Sequence, residues 1–515
     1  MSFSRLGASL SLPGMFRKIS HVPFYLLFVI TLFTQGSFAA GKCEDEAKIQ
    51  AQAVEEFKEE IFELGLRKAD SKKYPMAASA ENQLRLMSWN VENLFDTEPT
   101  QGKLDAEFLP TEGVYNGPIE ELKGMTFAQI KERLCASIPE RYRSSCLSRN
   151  WSPEMYAGKL AQIVATYKTV FGAKSNLPDI SVFSEVESPR AALDLSNALG
   201  YTTSSEGVDF EDTSDEHYKK LKEQGWAKLE SISSKGGLIM SNSPDERGID
   251  LAIAFKPKKG KLELLESKEY FVEMPARFSP TRNILVATFL VNGKEKLTVM
   301  ANHWPSQGSP TFVRKAVAER AKAIYEEYAK STKVVLVGDF NSIQGETPHP
   351  VNEVLLGGSD LVDARQYEED KRGKVFEAPG TYYFAPGTSW NHLDRIILDA
   401  RLVRARSSLR LSEEGMSIFH PETNVYQKSI KFYRDVETAE RIERATGVAI
   451  KYKNVPEDAR DPRVKQAFLD DPDLDVLDVR ESGPNGLYYY REDGSDELKF
   501  RGVSDHFPIS VQLEW

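Results

Sequence analysis

The sequence has few cysteines, with three in 515 residues: Cys43, Cys135 and Cys146. Zinc sites that rest on cysteine need clusters at short, regular spacing, and this sequence has none. Three cysteines in so long a chain also exclude the disulfide framework of small secreted domains. In an oxidising compartment Cys135 and Cys146 could close one short loop, and free buried thiols are equally compatible with the sequence.

The sequence also lacks an excess of basic residues. It has 66 Lys and Arg against 77 Asp and Glu, and its formal net charge is -11. Proteins that hold long polyanions through their overall field are basic, so this balance argues against tight, non-specific nucleic-acid binding of the histone or repressor kind. A small basic cleft, or a metal that neutralises phosphate locally, stays compatible with the sequence.

Long hydrophobic runs are missing as well. The apolar run from Val22 to Phe33 has 12 residues, which is too short to span a bilayer core of about 30 Å as a helix. Basic residues precede it, and the small residues Ser37 and Ala39 follow at the -3 and -1 positions of a cleavage site. We therefore predict a secretory signal over residues 1–39, with an uncleaved membrane anchor as the alternative.

Export would leave a mature chain that starts near Ala40 in the periplasm or outside the cell, with no transmembrane span. Residues 1–39 hold three basic and no acidic side chains, so the mature chain would carry a formal charge of -14. Residues 40–83 are predicted as a helical lead-in, because 44–70 are rich in Ala, Glu and Lys with apolar residues at helical spacing. Residues 84–515 remain for one large domain.

The most informative stretch runs from Val334 to Ser342 and reads Val-Val-Leu-Val-Gly-Asp-Phe-Asn-Ser. Its apolar half is typical of a strand buried on both faces, and the strand ends at Asp339 and Asn341. Two residues apart in an extended chain, these side chains point the same way and can reach one ligand. Turn chemistry alone would also explain such a pair.

Other predicted strands carry polar residues at their ends in the same way. The strand after Arg85 delivers Asn90 and Glu92 to its far end, and the strand after Pro178 stops at Glu185. A helix over about 153–171 lies between them. Strand, helix and strand in this order indicate a layered α/β protein with a site along one edge of the sheet.

The downstream half is predicted to contain two strand pairs. Asn292-Gly293 joins the strands 283–291 and 296–303 and is a strong hairpin signal. Lys256 to Lys261 is predicted as the solvated turn of another hairpin, between strands over 247–255 and 261–270. A helix over about 312–330 precedes the Val334 strand.

Polar residues therefore stand at the ends of six predicted strands: Asn90, Glu185, His303, Asp339, Asn341, Asp394, Asp505 and His506. Carboxylates and amides without cysteine suit a hard cation such as Mg²⁺, which prefers oxygen ligands. Two histidines suit general acid and base chemistry near neutral pH. Together these groups are what the hydrolysis of a phosphate ester requires.

The ordered motifs resemble the endonuclease/exonuclease/phosphatase superfamily, which includes deoxyribonuclease I. They are Trp89-Asn90, Pro178-Asp-Ile with Glu185-Val-Glu187, Asn302-His303, Gly338-Asp-Phe-Asn341, Leu393-Asp394 and Ser504-Asp-His506. The resemblance implies a four-layer α/β/β/α sandwich of two mixed sheets with outer helices. It covers most of 84–410 and 500–515, and the stretches at about 97–151 and 411–500 stand out as inserts.

The resemblance also implies roles for the polar residues. Glu185 would be the principal metal ligand, with Asn90, Asp339 and Asp505 near the same or a second ion. The ion would be Mg²⁺, with Mn²⁺ or Ca²⁺ as possible substitutes. Either Asp339 or His506 would act as the base.

The remaining residues would act on the phosphate. Asp394 would orient His506, and His303 would stabilise the phosphate or protonate the leaving group. Asn341 would position phosphate or water. Arg282 lies where deoxyribonuclease I has a phosphate-contacting arginine, although an ordinary surface arginine is an equal interpretation.

We predict that the protein is a metal-dependent phosphoesterase, in which an activated water attacks the phosphorus in line with the leaving group. The segment Asn302-His-Trp-Pro-Ser and the helix after it resemble predicted extracellular bacterial nucleases, which favours a nuclease acting on nucleic acid or another phosphodiester. The alternative is a lipid phosphodiesterase of the sphingomyelinase kind, or a phosphomonoesterase on small phosphate esters, which the acidic mature chain suits better. A catalytically dead binding module is a third interpretation. No stable protein partner is implied.

Overall fold

The computed structural model of the protein describes residues 74–172, 176–201, 209–211, 231–233, 237–274, 278–376, 378–384, 389–447, 449–450, 453–454, 462–491 and 498–515. The chain forms two compact units, Met1–Ala69 with Ile442–Val448, and Asp70–Arg441 with Ala449–Trp515. Of the first unit only 442–447 are described, so the predicted signal, the 44–70 helix and Cys43 lie outside the described residues. No described helix is long and apolar enough to cross a membrane.

The strands of the described residues are β1 (Gln83–Leu94), β2 (Ile180–Val186), β3 (Asp209–Glu211), β4 (Ser231–Ser233), β5 (Leu238–Met240), β6 (Asp250–Phe255), β7 (Leu262–Tyr270), β8 (Ile284–Val291), β9 (Glu295–His303), β10 (Lys333–Asp339), β11 (Leu361–Asp363), β12 (Tyr382–Phe384), β13 (Ser389–Asn391), β14 (Asp394–Asp399), β15 (Arg410–Ile418), β16 (Val425–Tyr433), β17 (Val476–Pro484), β18 (Tyr488–Arg491), β19 (Leu498–Arg501) and β20 (Ile509–Glu514).

The α-helices are α1 (Phe127–Cys135), α2 (Glu140–Ser148), α3 (Pro153–Phe171), α4 (Pro189–Leu199), α5 (Thr311–Tyr328), α6 (Ala364–Arg372), α7 (Val436–Thr446) and α8 (Pro462–Asp470). Short 3₁₀ turns lie at Ala106–Phe108, Glu120–Leu122, Ala400–Val403 and Glu422–Asn424, and a π-helical turn lies at Pro350–Leu355.

Two mixed sheets form the centre of the fold. The larger has eight strands in the order β15-β20-β1-β2-β6-β5-β4-β3, and the smaller has six in the order β11-β14-β10-β9-β8-β7. The pairs β1–β2 and β9–β10 are parallel, and their neighbours pair antiparallel. A parallel pair needs a crossover, and helices α3 and α5 supply it in the two sheets.

The sheets pack face to face because their strands are apolar on both sides. Along β10, Val335 and Val337 join the core between the sheets, whereas Val334 and Leu336 face the opposite side. This alternation follows from the two-residue period of a strand. A fully apolar run is therefore what a strand needs when both of its faces are covered.

Helices cover the outer faces of both sheets. Helix α3 buries Ile163 and Tyr167 with Trp89 of β1, and α5 buries Val317 and Ile324 in the core that contains the outer side of β10. The layers are thus helix, sheet, sheet and helix. The predicted four-layer α/β/β/α fold is confirmed.

The hairpin predicted at Asn292-Gly293 is confirmed, whereas the one predicted at Lys256 to Lys261 is wrong. Strands β8 and β9 pair antiparallel, and Asn292 and Gly293 both adopt positive φ, 55° and 61°, as a type I′ turn requires. Strand β6 instead belongs to the larger sheet and β7 to the smaller. The lysine segment therefore carries the chain from one sheet to the other.

The two stretches that stand out as inserts differ in structure. Residues 97–151 lie outside both sheets and have a small core of their own, which includes the disulfide Cys135–Cys146 that joins α1 and α2. Residues 410–418, by contrast, form β15, the edge strand that pairs with β20 in the larger sheet. The part of the second stretch that leaves the sheets therefore begins after Ile418 rather than at Leu411.

A glycine is required where β10 passes β9 beside the site. Gly338 has φ +136°, and a Cβ there would lie 1.9 Å from the carbonyl oxygen of Asn302. We expect Gly338→Ala to destabilise the protein by more than about 3 kcal/mol, because strain and a clash with rigid backbone combine. Gly345→Ala is the matched control, since Gly345 has φ +91° and no neighbour within 4 Å of a Cβ.

Chemical denaturation of both variants measures this difference. Equal losses in Gly338→Ala and Gly345→Ala would show that φ alone matters and that the close strand approach does not.

Candidate active site

Three polar residues lie side by side at one edge of the smaller sheet. In the strand register Asp339 pairs with His303 of β9 on one side and with Asp394 of β14 on the other. Strands β9 and β10 end at this edge, and the antiparallel β14 begins there. The sequence motifs at two strand ends and one strand start are therefore brought together by the sheet topology.

The larger sheet adds Asn90 and Glu185 from its parallel strands β1 and β2. The side-chain amide of Asn90 donates to Glu185 Oε1 and to Asp339 Oδ2, both at 3.1 Å. The backbone N–H of Asn93 donates to Glu185 Oε2 at 2.8 Å. Asn90 thus ties the edges of the two sheets together and orients a carboxylate of each.

His506 and Asp505 enter the same site from the segment before β20. Nδ1 of His506 lies 2.7 Å from Asp394 Oδ2, which is a hydrogen bond between two buried side chains. Its Nε2 lies 3.9 Å from Asp339 Oδ2 and 3.8 Å from Asp505 Oδ1. Asp394 therefore fixes the ring so that Nε2 faces the other carboxylates, as a carboxylate does behind a histidine in other hydrolases.

The two histidines have opposite electrostatic environments. Burial and the positive charge of Arg282 lower the pKa of His303 well below its usual value. Burial would also lower the pKa of His506, but neighbouring carboxylates, above all Asp394, outweigh it and raise that pKa well above its usual value. These shifts favour the neutral form of His303 and the protonated form of His506.

Several carboxylates are gathered where their charges repel one another. Burial raises the pKa of Asp339 to about 7, and the charge of Asp394 acts in the same direction. Burial also raises the pKa of Glu92 to about 7, with Asp505 and Glu185 adding to it. So many buried carboxylates at one place require a positive partner for their ionised forms.

Backbone strain is concentrated at this edge. Among the described residues other than glycine, those with positive φ include Glu92 (52°), Asn93 (55°), Glu185 (65°) and Asn341 (45°). Side chains with a Cβ rarely adopt this conformation, and when they do the site often depends on it. Here the turn of the backbone aims Glu185 and Asn341 back towards Asp339 and His303.

His303 faces Glu185 and Asp339 without a short hydrogen bond to either. Its Nε2 lies 3.7 Å from Glu185 Oε1 and 3.7 Å from Asp339 Oδ2. Its Nδ1 is a buried atom that has no hydrogen-bond partner in the described part of the chain. The ring is thus placed to donate to a group that enters between the two sheets.

Asn341 and Arg282 both donate a hydrogen bond to the backbone carbonyl of Trp304, the residue after His303. The amide of Asn341 donates to Asp339 Oδ2 at 3.0 Å and to the carbonyl of Trp304 at 3.1 Å. Arg282 is buried, pairs with Asp245 Oδ2 at 3.3 Å and donates to the same Trp304 carbonyl at 2.7 Å. The structure thus brings Asn341 into contact with Asp339, whereas the guanidinium of Arg282 is held by Asp245 and by the Trp304 carbonyl.

The donor set fits a hard divalent cation. The oxygens of Asn90, Glu185, Asp505 and Glu92 belong to one edge, and Glu92 Oε2 is buried with no hydrogen-bond partner among the described residues. In the described ranges no three His, Cys, Asp or Glu side chains already form a metal cluster. Mg²⁺ binds carboxylate and amide oxygens and keeps several water ligands. The protein therefore does not need to supply all the ligands of the ion.

The sequence did not reveal Asn424, which holds the segment that carries His506. Its side-chain amide donates to the carbonyl of His506 at 2.9 Å, and its Oδ1 accepts from the N–H of Ser504 at 3.0 Å. Asn424 is fully buried and lies in the part of the chain that stands out as an insert. No motif surrounds it, so no sequence signal marked it.

We expect Asn424→Ala to lower turnover by about tenfold to a hundredfold, because a catalytic ring displaced by 1 Å can cost as much. The measurement is kcat for a phosphodiester, normalised to the folded fraction of each protein. Asn352→Ala, at an exposed asparagine, is the control. Wild-type kcat in folded Asn424→Ala would show that Ser504 and His506 are positioned without it.

Lys159 is a second residue that sequence analysis missed. It lies on helix α3 with its side chain 1% exposed, and its ammonium is 4.0 Å from Glu92 Oε2 and donates to the carbonyl of Val503. Burial lowers the pKa of Lys159, whereas the charge of Glu92 opposes this change. The sequence around Lys159 does not indicate a buried lysine, because its partner Glu92 is brought to it only by the tertiary structure.

A two-sheet sandwich with carboxylates, amides and two histidines at one edge defines a class of hydrolases that act on phosphate esters. A family model described as Endonuclease/Exonuclease/phosphatase family matches residues 228–435, which include His303, Asp339, Asn341 and Asp394. The resemblance predicted from the motifs is therefore confirmed over this part of the chain. No curated protein matches the sequence.

Solved structures with similar folds share little sequence with the chain. An endonuclease/exonuclease/phosphatase family protein from Bacteroides thetaiotaomicron is 12% identical, with 84% of this chain and 97% of that chain covered and a TM-score of 0.37. Zebrafish (D. rerio) TDP2 complexed with single-strand DNA product is 13% identical, with coverage of 84% and 99% and a TM-score of 0.34. A mannosyl-6-phosphatase from B. thetaiotaomicron is 12% identical, with coverage of 84% and 100% and a TM-score of 0.35.

Proposed function

We propose that the protein is an exported, Mg²⁺-dependent nuclease that hydrolyses phosphodiester bonds by in-line attack of water. The observation that carries the proposal is the hydrogen bond of 2.7 Å between Asp394 and Nδ1 of His506, which turns the other ring nitrogen, Nε2, towards Asp339. A carboxylate-oriented histidine beside a second, separately oriented carboxylate can move a proton to and from the reacting oxygens.

Asp339 and His506 form the pair that handles the proton of the attacking water. Asp339 Oδ2 accepts hydrogen bonds from Asn90 and Asn341, so its carboxylate is fixed before substrate arrives. His506 Nε2 faces the same oxygen across 3.9 Å. Fixed polar groups need little reorganisation as charge develops, which is the main source of rate enhancement in such sites.

His303 donates to an oxygen of the phosphate or of the leaving group. It is buried on the strand next to Asp339, and its Nε2 faces the same space as the two carboxylates. A neutral ring that donates one hydrogen bond suits this role. Asn341, on the far side of Asp339, keeps that carboxylate in place.

Glu185 would hold the cation, with Asn90, Asp505 and Glu92 contributing further oxygens. The bound ion supplies charge that neutralises the non-bridging phosphate oxygens. The match to the family model supports a divalent ion in general, and the oxygen donors favour Mg²⁺, with Mn²⁺ or Ca²⁺ as substitutes.

A lipid phosphodiesterase or a phosphomonoesterase for small esters is the second candidate. The observation that favours it is the formal charge of -11 for the whole chain, since long polyanions bind basic surfaces more readily. The resemblance to predicted extracellular bacterial nucleases around Asn302 to Ser306 favours the nuclease.

Nicking of supercoiled plasmid in Mg²⁺ or Mn²⁺ separates the two candidates, with a small phosphodiester dye substrate and His506→Ala run alongside. We expect the wild type to nick plasmid and to cleave the dye, and His506→Ala to do neither. Dye cleavage with intact plasmid would reject the nuclease and retain the phosphoester chemistry.

The proposal of export depends on the sequence of residues 1–39. We propose that the mature protein is secreted or periplasmic and begins near Ala40. Amino-terminal sequencing of protein recovered from outside the cytoplasm tests this proposal. An intact Met1 on exported protein would instead favour the uncleaved anchor.

A further inference from the structure

A pocket of about 390 Å³ lies beside the candidate active site, and no residue role proposed above uses it. Glu92 and Asn93 line it on the side of the site, and the 97–151 segment lines it on the other. The backbone N–H of Asn93 donates to Glu185 Oε2 at 2.8 Å, so pocket and catalytic centre share this turn. A substrate whose phosphate lies at the centre can place its next chemical group here.

We infer that this pocket binds the nucleoside next to the scissile phosphate. The inference rests on the proposed nuclease function and deepens it, because it names the part of the chain that recognises the substrate. Its support comes from four features of the pocket, which are its rigid wall, its apolar floor, its unpaired acceptors and its charge.

The wall is built before any substrate binds. The buried ammonium of Lys131 donates to the carbonyls of Ala106 and Leu109 at 2.6 and 3.2 Å, and the disulfide Cys135–Cys146 joins the two helices behind it. So many internal bonds hold α1 and α2 in one arrangement. A preformed wall lowers the cost of ordering a binding site.

The glutamate next to the wall fixes its polar rim. Glu107 Oε1 accepts a hydrogen bond from Ser145 at 3.0 Å and pairs with Arg149 at 3.1 Å. The guanidinium of Arg149 also lies 5.2 Å from the centre of the Phe108 ring. These two contacts hold Arg149 at the rim of the pocket, where 44% of its side chain is exposed.

The floor of the pocket is apolar and aromatic. The apolar lining residues are Phe108, Trp151, Met155 and Leu487, and the other lining residues are polar or charged. Behind the lining, Phe108 stacks on Phe95 at 3.9 Å, and it meets Trp151 edge to face at 5.6 Å. The Trp151 ring is fixed because its N–H donates to the carbonyl of Phe95 at 2.9 Å. Because these rings are almost fully buried, a flat heterocycle would meet their accessible edges and the planar guanidinium of Arg149, which lies over the Phe108 ring.

Two lining residues, Glu92 and Asn93, each have a buried side-chain oxygen without a hydrogen-bond partner among the described residues. Asn93 Oδ1 is buried and accepts no hydrogen bond from the described part of the chain. A buried acceptor without a donor is costly, and a ligand that brings an N–H or O–H relieves that cost. Nucleobases and sugars both carry such donors, whereas a saturated lipid chain does not.

The charge of the lining selects against cations. Arg149 is positive, and the buried Lys159 partly offsets the charge of Glu92. A quaternary ammonium headgroup, which aromatic pockets otherwise suit, would gain little here, because the carboxylates of Glu107 and Glu92 already face Arg149 and Lys159. A neutral nucleoside joined to an anionic phosphate fits this surface better than a choline ester does.

The experiment compares esters that share one scissile bond. Thymidine 3′- and 5′-(p-nitrophenyl phosphate) carry the nucleoside, and methyl p-nitrophenyl phosphate replaces it with a methyl group. Ser148→Trp introduces a bulky ring from an exposed position at the end of α2 that lines the pocket. Ser144→Trp, on the same helix, is exposed and does not line the pocket, so it serves as the control.

For the wild type and Ser144→Trp we expect kcat/KM for at least one thymidine ester to exceed that for the methyl ester by about tenfold or more, as stacking of one base allows. In Ser148→Trp this ratio falls towards one, chiefly through a higher KM. Because both rates come from the same sample, a partly unfolded variant leaves the ratio unchanged.

The failures are distinguishable. A wild-type preference for thymidine esters that persists in Ser148→Trp overturns the pocket assignment and leaves the nuclease intact. Cleavage of the methyl ester without cleavage of thymidine esters or plasmid overturns the nuclease, and the pocket assignment with it. A preference for p-nitrophenyl phosphorylcholine that Ser148→Trp removes would assign the pocket to a cationic headgroup instead.

Discussion

Asp394→Asn is expected to lower phosphodiester turnover on the order of a thousandfold, nearly as much as His506→Ala. The carboxylate of Asp394 is buried and accepts the Nδ1 proton of His506 at 2.7 Å. An asparagine that presents its N–H₂ to the ring would turn or re-protonate the imidazole, and Nε2 would no longer be available in the right state. The shape of the side chain is otherwise kept.

The matched control is Asp399→Asn at the other end of the same strand. Asp399 is as buried as Asp394 and pairs with Arg401, but it lies at the opposite end of β14 from the site. We expect this variant to lose stability and to keep its turnover per folded molecule. Near-wild-type turnover in Asp394→Asn would show that the pairing with His506 does not serve catalysis.

Removal of the cation, by chelator or by Glu185→Gln, is the second change with a very large expected effect. Glu185 is held by Asn90 and by the Asn93 N–H so that its carboxylate faces the centre between the sheets. Glu185→Gln removes one negative charge from the oxygens that would hold the cation. We expect turnover to fall by at least about a thousandfold, because an ion that neutralises transition-state charge is worth several kcal/mol.

Glu187→Gln is the control for this change, because Glu187 is two residues on, is more deeply buried than Glu185 and accepts from Thr100 instead. Added Mg²⁺ should restore the chelated wild type and Glu187→Gln, but not Glu185→Gln. Titration with Mn²⁺ gives an independent measure, since affinity should fall only in Glu185→Gln. Undiminished turnover in chelator would remove the metal from the mechanism.

Much of the fold follows from short stretches of sequence. The run Val334–Val337 predicted a strand covered on both faces, and the structure packs its alternate residues into two different cores. Asn292-Gly293 predicted a tight hairpin because few other pairs tolerate two positive φ angles. Local chemistry suffices in these cases because the residues themselves restrict the backbone.

The catalytic edge was partly predictable for a related reason. His303, Asp339 and Asp394 stand where apolar runs end or start, and a sheet brings such positions together in register. The resemblance to the superfamily supplied the rest, including the pairing of Asp394 with His506. The roles of these residues in catalysis remain predictions.

Contacts between distant segments could not be predicted. Asn424 meets His506 from 82 positions away, and nothing around it marks a buried amide. The lysines from Lys256 to Lys261 suggested a hairpin because polar turns look alike, whether they join neighbours in one sheet or pass between two sheets. Burial of Lys159 likewise depends on Glu92 and Val503, which only the tertiary structure brings to it.

The assignment of this edge as the active site is tested by the rate at which the purified protein hydrolyses bis(p-nitrophenyl) phosphate in Mg²⁺, compared with the rate of Asp339→Ala. Asp339 accepts hydrogen bonds from the amides of Asn90 and Asn341, and its Oδ2 faces both histidines. The proposed proton transfer and the proposed placement of the phosphate therefore both depend on Asp339. We predict clear turnover by the wild type and none above background by folded Asp339→Ala. Equal rates in the two proteins would contradict the assignment of this edge as the active site.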